Sequence, residues 1–374
     1  MTENKTRIQI FDIAKGISII LMTMTRYPFI ETYPILMSFQ NVAIIFKMPT
    51  FIFISGYLLS DRLDFKSFLH NKIDGLIKPL IGFLLSLTLL KITLYIIVSD
   101  EASLHGGLEY ILDLPRALYH GSFVAVNVSF WFIVALFLGQ LALKGFLVIM
   151  DLKKPIKYLF LITFLIILLI LNTMKINFLW SEYIPIFFTY LFLGYGFKKI
   201  RIHYFNATPF FYSNKMVLFP ILFLILHFTL KNLNFDIDLN LAGLHYNYHY
   251  LLILSISGVF SVIYLCRYIE KIPILNSFLV YCSRASFFIL AYHIFIKDVF
   301  LILFDLETYQ PLLHTFLFLL NIVLCCLIYM FLKKVPFVRI LFYPLKTIVF
   351  SDLEIKLLKS KYINRFIPKE IALA

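Results

Sequence analysis

The chain has 374 residues, of which 61% are hydrophobic and only 15% charged, and its formal net charge is +13. A soluble domain carries roughly a quarter charged residues, so water alone cannot be the solvent for this much apolar surface, and part of it must be lipid. The positive charge alternates between connections as membrane topology requires, which argues against a nucleic-acid-binding stripe.

Runs of about 20 mostly apolar residues predict membrane-spanning helices. In chain order they cover 10–30, 42–60, 77–98, 128–150, 156–174, 182–198, 215–232, 249–267, 284–304 and 312–332. The expected fold class is all-α: a polytopic membrane bundle of about ten helices with both termini in the cytoplasm. The first run carries Asp12 and Lys15 and lacks a small-residue cleavage site, so it reads as a retained helix. The orientation rests on Lys and Arg. Lys5 and Arg7, then Arg62, Lys66 and Lys72, then Lys153, Lys154 and Lys157, then Lys198, Lys199 and Arg201, then Arg267 and Lys271 all fall in alternate connections. The chain divides into a membrane domain, 1–335, and a basic cytoplasmic tail, 336–374, which suits an anionic inner leaflet. Two external connections are polar and aromatic: 99–127, with His120, and 233–248, with His245. They suit a polar acceptor such as a saccharide, or serve as plain connectors. Cys266, Cys282, Cys325 and Cys326 lack metal or disulfide spacing and read as small packing residues. No metal motif is present.

An ionisable side chain in hydrocarbon is costly and needs a reason. Asp12 and Lys15 share one helix face, as an ion pair or with Lys15 holding a phosphate. Arg26 follows Lys15 by eleven positions, on the same face and about 16 Å along the axis. It either snorkels to the interface or acts there. Lys47 and His293 are further candidates, Lys91 reads as snorkelling, and His227 as packing.

Five segments carry a family pattern: "FDIAKGISIILMTMTRYPF", "FKMPTFIFISGYLLSDR", "FWFIVALFLGQ", "YLFLGYGFKK" and "RASFFILAYHIFI". Together they resemble the membrane acyltransferase-3 family, in particular its fucose 4-O-acetylase-like branch. The resemblance implies transfer of an acyl group, usually acetyl, from cytoplasmic acyl-CoA to a sugar hydroxyl at or across the membrane. It implies no permanently bound cofactor, with acetyl-CoA as donor substrate. The partners expected are the lipid bilayer, a polysaccharide or lipid-linked glycan and possible envelope-assembly proteins, with no nucleic acid. The expected location is the cell (inner or plasma) membrane. Lys15, Lys72 and Lys78 match positions suited to the donor phosphates, with Ser55 and Gly56 beside the donor path. Lys47, Trp131 and His120 fall on the acceptor side. Arg26, His293 and Asp12 are the catalytic candidates.

Three polar positions depart from the family. Arg26 stands where the first helix usually carries histidine, Lys47 where a histidine often precedes Met48-Pro49, and Lys72 with Gly75 where an Arg-x-x-Arg pattern is usual. Arginine cannot act as a general base, because its pKa exceeds about 12. Two expectations follow. Either His293 or a substrate group moves the proton, or the chain is a catalytically inactive homologue that binds or transports a ligand or assists envelope assembly.

Overall fold

The computed structural model describes residues 8–27, 33–98, 128–173, 178–204, 209–232, 248–304, 311–336 and 338–347. Among these the regular structure is entirely helical, as the composition requires. Fifteen α-helices follow in chain order: α1 (Gln9–Met24), α2 (Pro34–Ala43), α3 (Lys47–Tyr57), α4 (Phe65–Lys72), α5 (Lys78–Val98), α6 (Trp131–Met150), α7 (Ile156–Thr173), α8 (Ile184–Tyr204), α9 (Pro209–Tyr212), α10 (Leu218–Asn232), α11 (Tyr248–Ile269), α12 (Pro273–Arg284), α13 (Ser286–Leu303), α14 (Pro311–Lys334) and α15 (Val338–Phe342).

Seven described stretches are long and apolar enough to cross a membrane: Pro34–Tyr57, Phe65–Ile97, Trp131–Met150, Asn214–Asn232, His249–Ile269, Ser286–Leu303 and Pro311–Lys334. The other three expected spans also hold helices, α1, α7 and α8. α1 has 16 residues, about 24 Å, short of the roughly 30 Å hydrocarbon core. It lies at the centre of the bundle, packed against α3, α11, α12 and α13. Apolar side chains on the periphery face outward: Leu159, Phe160 and Ile162 of α7, and Leu224, Ile225 and Phe228 of α10, are all exposed. Outward apolar surface of this kind is stable only against lipid.

Three boundaries differ from the sequence expectation. The second span begins at Pro34, not near 42, and is interrupted at Ile44–Phe46, so that α3 starts afresh at Lys47. The connection expected between 60 and 77 is helical, with a π-helical turn at Ile73–Ile77 joining α4 to α5. The connection expected after 267 holds α12. Part of the region assigned to the tail packs back: α15 contacts α5 and α14, and Phe342 and Tyr343 are each 6% exposed.

Helix crossings are tight where side chains vanish. A methyl group on Gly56 would run into the Leu191 carbonyl, and one on Gly194 into the Phe53 carbonyl, so α3 and α8 touch backbone to backbone. Gly16 does the same for α1 against Leu279 of α12.

Candidate functional site

The four helices α1, α3, α6 and α13 each line two cavities, the second of which is completed by α4, α5, α12, α14 and the segment that follows α14. The first, about 360 Å³, is lined by Arg26, Lys47, Ser129, Trp131, Tyr183 and His293, with Met22, Thr25, Ile44, Met48, Phe132 and Leu290. The second, about 650 Å³, is lined by Lys15, Ser55, Lys72, Gln140, Arg284 and Lys333, among others. Each helix lends one stretch to each cavity: Lys15 and then Met22 to Arg26 on α1 and the turn that follows it, Lys47–Met48 and then Phe51 and Ser55 on α3, Trp131–Phe132 and then Leu136 and Gln140 on α6, Ser286–Phe288 and then Leu290 and His293 on α13. On α3 and α6 the nearest lining residues of the two cavities, Met48 and Phe51, Phe132 and Leu136, are three and four positions apart. The wall is therefore about one helical turn thick, roughly 5 Å. Phe51 and Phe132 close it edge to face, with ring centroids 5.4 Å apart.

His293 is 1% exposed. Its Nδ1 lies 2.8 Å from the Ile289 carbonyl oxygen and 3.0 Å from that of Leu290. Carbonyls only accept, so Nδ1 carries the ring proton and Nε2 presents a lone pair. Nε2 is buried and has no hydrogen-bond partner among the described residues. The helix turn holding it is pinned by Asn321 of α14, whose amide donates to the His293 carbonyl (2.7 Å) and to the Tyr27 hydroxyl. Beside the imidazole stand two cations. Arg26 is exposed at the end of α1, and its carbonyl accepts from Lys297 Nζ at 3.2 Å. Lys47 is 5% exposed and meets no carboxylate among the described residues. Trp131 and Tyr183 form an aromatic wall, ring centroids 4.5 Å apart.

The second cavity is basic. Lys15 Nζ sits 4.8 Å over the Phe51 ring, and Lys72 Nζ 5.2 Å over Phe68. Ser55 Oγ donates to the Phe51 carbonyl at 2.8 Å. Gln140 is 4% exposed, and its Oε1 has no partner among the described residues.

The sequence candidates therefore separate. Arg26, Lys47, Trp131 and His293 come together in one cavity, and Lys15, Lys72 and Ser55 in the other. Three candidates line neither. Asp12 stays on α1 outside both linings. Lys78 is held 2.5 Å from Asp74 and donates to the Tyr343 carbonyl at 2.8 Å, a structural tie to the C-terminal segment. Gly56 faces α8 at the crossing already described. His120 and His245 lie outside the described residues. Sequence reasoning assigned no role to Arg284, Gln140, Lys333, Tyr183 or Asn321. Arg284 opens the "RASFF" run and Gln140 closes the "FLGQ" run, so both stood inside segments that carried the resemblance. Lys333 was absorbed into the topology count. Tyr183 and Asn321 left no signal, because nothing in their spacing says which neighbours they meet.

The four free cysteines are buried, as expected of packing residues. Among the described residues no cluster of His, Cys, Asp or Glu could hold a metal. Residues 8–330 match the family model of the acyltransferase domain known as acyltransferase 3. No curated protein and no solved structure gives a significant match.

Proposed function

The chain belongs to the acyltransferase 3 family, and from that membership we propose that it carries acetyl from acetyl-CoA to a hydroxyl of an envelope polysaccharide or lipid-linked glycan at the cell membrane. One observation carries the reading: a basic cavity and a histidine-bearing cavity that share four helices in their walls and lie one turn apart along α3 and α6. The basic cavity takes the donor from the cytoplasm. Lys15, Lys72, Arg284 and Lys333 match the pyrophosphate and ribose phosphate of CoA as point charges and, for Arg284, a bidentate fork. The pantetheine arm then runs past Ser55 toward Phe51, and the thioester enters the wall between the cavities.

The acceptor hydroxyl lies against His293. Nε2 takes its proton while the oxygen attacks the thioester carbonyl. The negative charge that develops on the carbonyl oxygen is stabilised by the Arg26 guanidinium, which cannot be a base but is well suited to this task. The intermediate collapses with cleavage of the carbon–sulfur bond, and the imidazolium returns its proton to the departing thiolate, giving CoA and the O-acetylated acceptor. Arg26 at the position of the family's histidine thus moves the base to α13 without removing it.

Incubating the purified protein with labelled acetyl-CoA and a panel of neutral and acidic glycosides tests this. O-acetylated glycoside and free CoA in equal amounts are expected. Saturable ligand binding without any acetylated product would instead support the inactive-homologue reading.

A further inference from the structure

Lys47 is the side chain whose placement is hardest to reconcile with a neutral acceptor. It is 95% buried by exposure, it opens α3 without a side-chain cap, and it lines the His293 cavity together with Arg26. An ammonium removed from water without an anion is strongly disfavoured. A second cation beside it makes matters worse, and the positive end of the α3 dipole adds to the same sign. Lys297, one turn beyond His293, contributes a third positive charge to this end, through its contact with the Arg26 carbonyl. Among the described residues no carboxylate lines the cavity. Glu182 and Asp298, the nearest in sequence to its walls, are not lining residues, and Asp298 is attracted to Lys91 and Lys297. Proton transfer needs one oxyanion stabiliser, which Arg26 provides, so the second cation is surplus to the chemistry.

We propose that the acceptor is an anionic saccharide whose carboxylate or phosphate binds Lys47, with Trp131 and Tyr183 stacking on the sugar ring. This rests on the acetyl-transfer reading for the location of the acceptor, and it specifies the acceptor's charge. The anion supplies the counter-charge that Lys47 does not find among the described residues, and the two rings, 4.5 Å apart, offer an apolar wall to the C–H face of a pyranose. The roles divide cleanly. Lys47 and the aromatic pair position the acceptor, His293 Nε2 faces its hydroxyl, and Arg26 faces the acyl oxygen.

The test is direct binding without acetyl-CoA, in phosphatidylcholine nanodiscs, using a glucuronosyl-glucose disaccharide, its methyl ester and glucose 1-phosphate as probes. The acid, the phosphate or both should bind about tenfold or more tightly than the neutral ester, as expected for a hydrogen bond to a charged group. Whichever anion binds identifies the source of the charge. Lys47→Gln should bring the anionic probe down to the level of the ester, and Lys47→Arg should restore the difference. Equal binding of acid, phosphate and ester, no binding of any, or a preference that survives Lys47→Gln overturns the proposal. So does a Lys47-dependent retention of phosphatidylglycerol with no response to the sugars, which would make the cations a lipid-headgroup site. Failure of the acetyl-transfer reading would register separately, as no acetylated product in the labelled acetyl-CoA assay while the anion preference persists.

Discussion

At His293 the backbone fixes the tautomer: two carbonyls take Nδ1, and Nε2 has no partner among the described residues, which is where the proposed mechanism puts the acceptor hydroxyl. Asn321, which is fully buried, holds this turn of helix by bonding the His293 carbonyl. Asn321→Ala should cost about 1–3 kcal/mol, the scale of a buried group left unpaired, and should lower turnover with little change in acetyl-CoA affinity. Thermal unfolding beside single-turnover kinetics checks both halves. On the donor side, Lys15→Ala and Arg284→Ala should each weaken acetyl-CoA binding about 5- to 150-fold, corresponding to roughly 1–3 kcal/mol. Lys78→Ala should leave that affinity nearly intact and instead loosen the segment 338–347, because its ammonium already serves Asp74 and the Tyr343 carbonyl. Calorimetry with limited proteolysis separates these cases, and a large affinity loss in Lys78→Ala would put it back in the donor site. Lys15, Lys72 and Lys78 looked alike in the sequence, since all three are cations near the same predicted membrane face. Only the neighbours distinguish them, and Asp74 is the neighbour that takes Lys78 away. Arg26 and Lys47 were legible as departures from a family pattern, whereas Asn321 was one polar residue in an apolar helix.

The elements that matter most are the four helices shared by the cavities, and the thin place in their common wall is the Phe51–Phe132 contact. Phe51→Leu should thin it further while keeping the core filled. Water would then reach the thioester, so acetyl-CoA hydrolysis should rise relative to acetyl transfer. An unchanged ratio would mean that this contact is not the partition. Gly56→Ala tests the other side of α3. The added methyl meets the Leu191 carbonyl, so the variant should lose folded yield in detergent, not donor affinity. Apolar run length located nearly every long helix, because hydrocarbon imposes that length. It placed no break at Ile44–Phe46, although Pro49, whose ring nitrogen cannot bond back to the Ile45 carbonyl, marks the place, and it missed α12. That helix has only 12 residues and alternates exposed Ile274 with buried Leu279 and Cys282. A short amphipathic stretch of this kind reads as a connection until Gly16 shows which surface it covers.

For the whole molecule, the orientation expected from the Lys and Arg distribution is tested with an impermeant thiol reagent. Cysteine at His120 or His245 should label from outside intact cells. Labelling only after the membrane is opened would reverse the assignment of the two cavities. Acid should act on the opposite side. Asp61, in the turn after α3, is hydrogen-bonded by Lys199 at 2.5 Å, which holds its carboxyl down at about 2. A folded pKa below the ordinary 3.8 contributes stability that is present above pH 4 and is lost as pH falls through about 2. Asp61→Asn should flatten that part of the unfolding profile, and an identical profile would assign the acid sensitivity elsewhere. The all-helical membrane class was legible from composition because lipid leaves so few alternatives. The two-cavity arrangement was not, since it depends on how four helices far apart in sequence are aligned against one another. The central claim is that acetyl crosses from the Lys15 cavity to a hydroxyl held at His293. The most direct measurement is the rate of labelled acetyl transfer by purified protein in nanodiscs, for wild type, His293→Ala, Arg26→Ala and the double variant. The wild type should transfer. His293→Ala should fall about 10²–10⁴-fold, as for a lost general base, and Arg26→Ala about 10²–10³-fold, as for a lost oxyanion donor. Transfer undiminished in the double variant, or absent from the wild type with acetyl-CoA bound, would contradict the assignment.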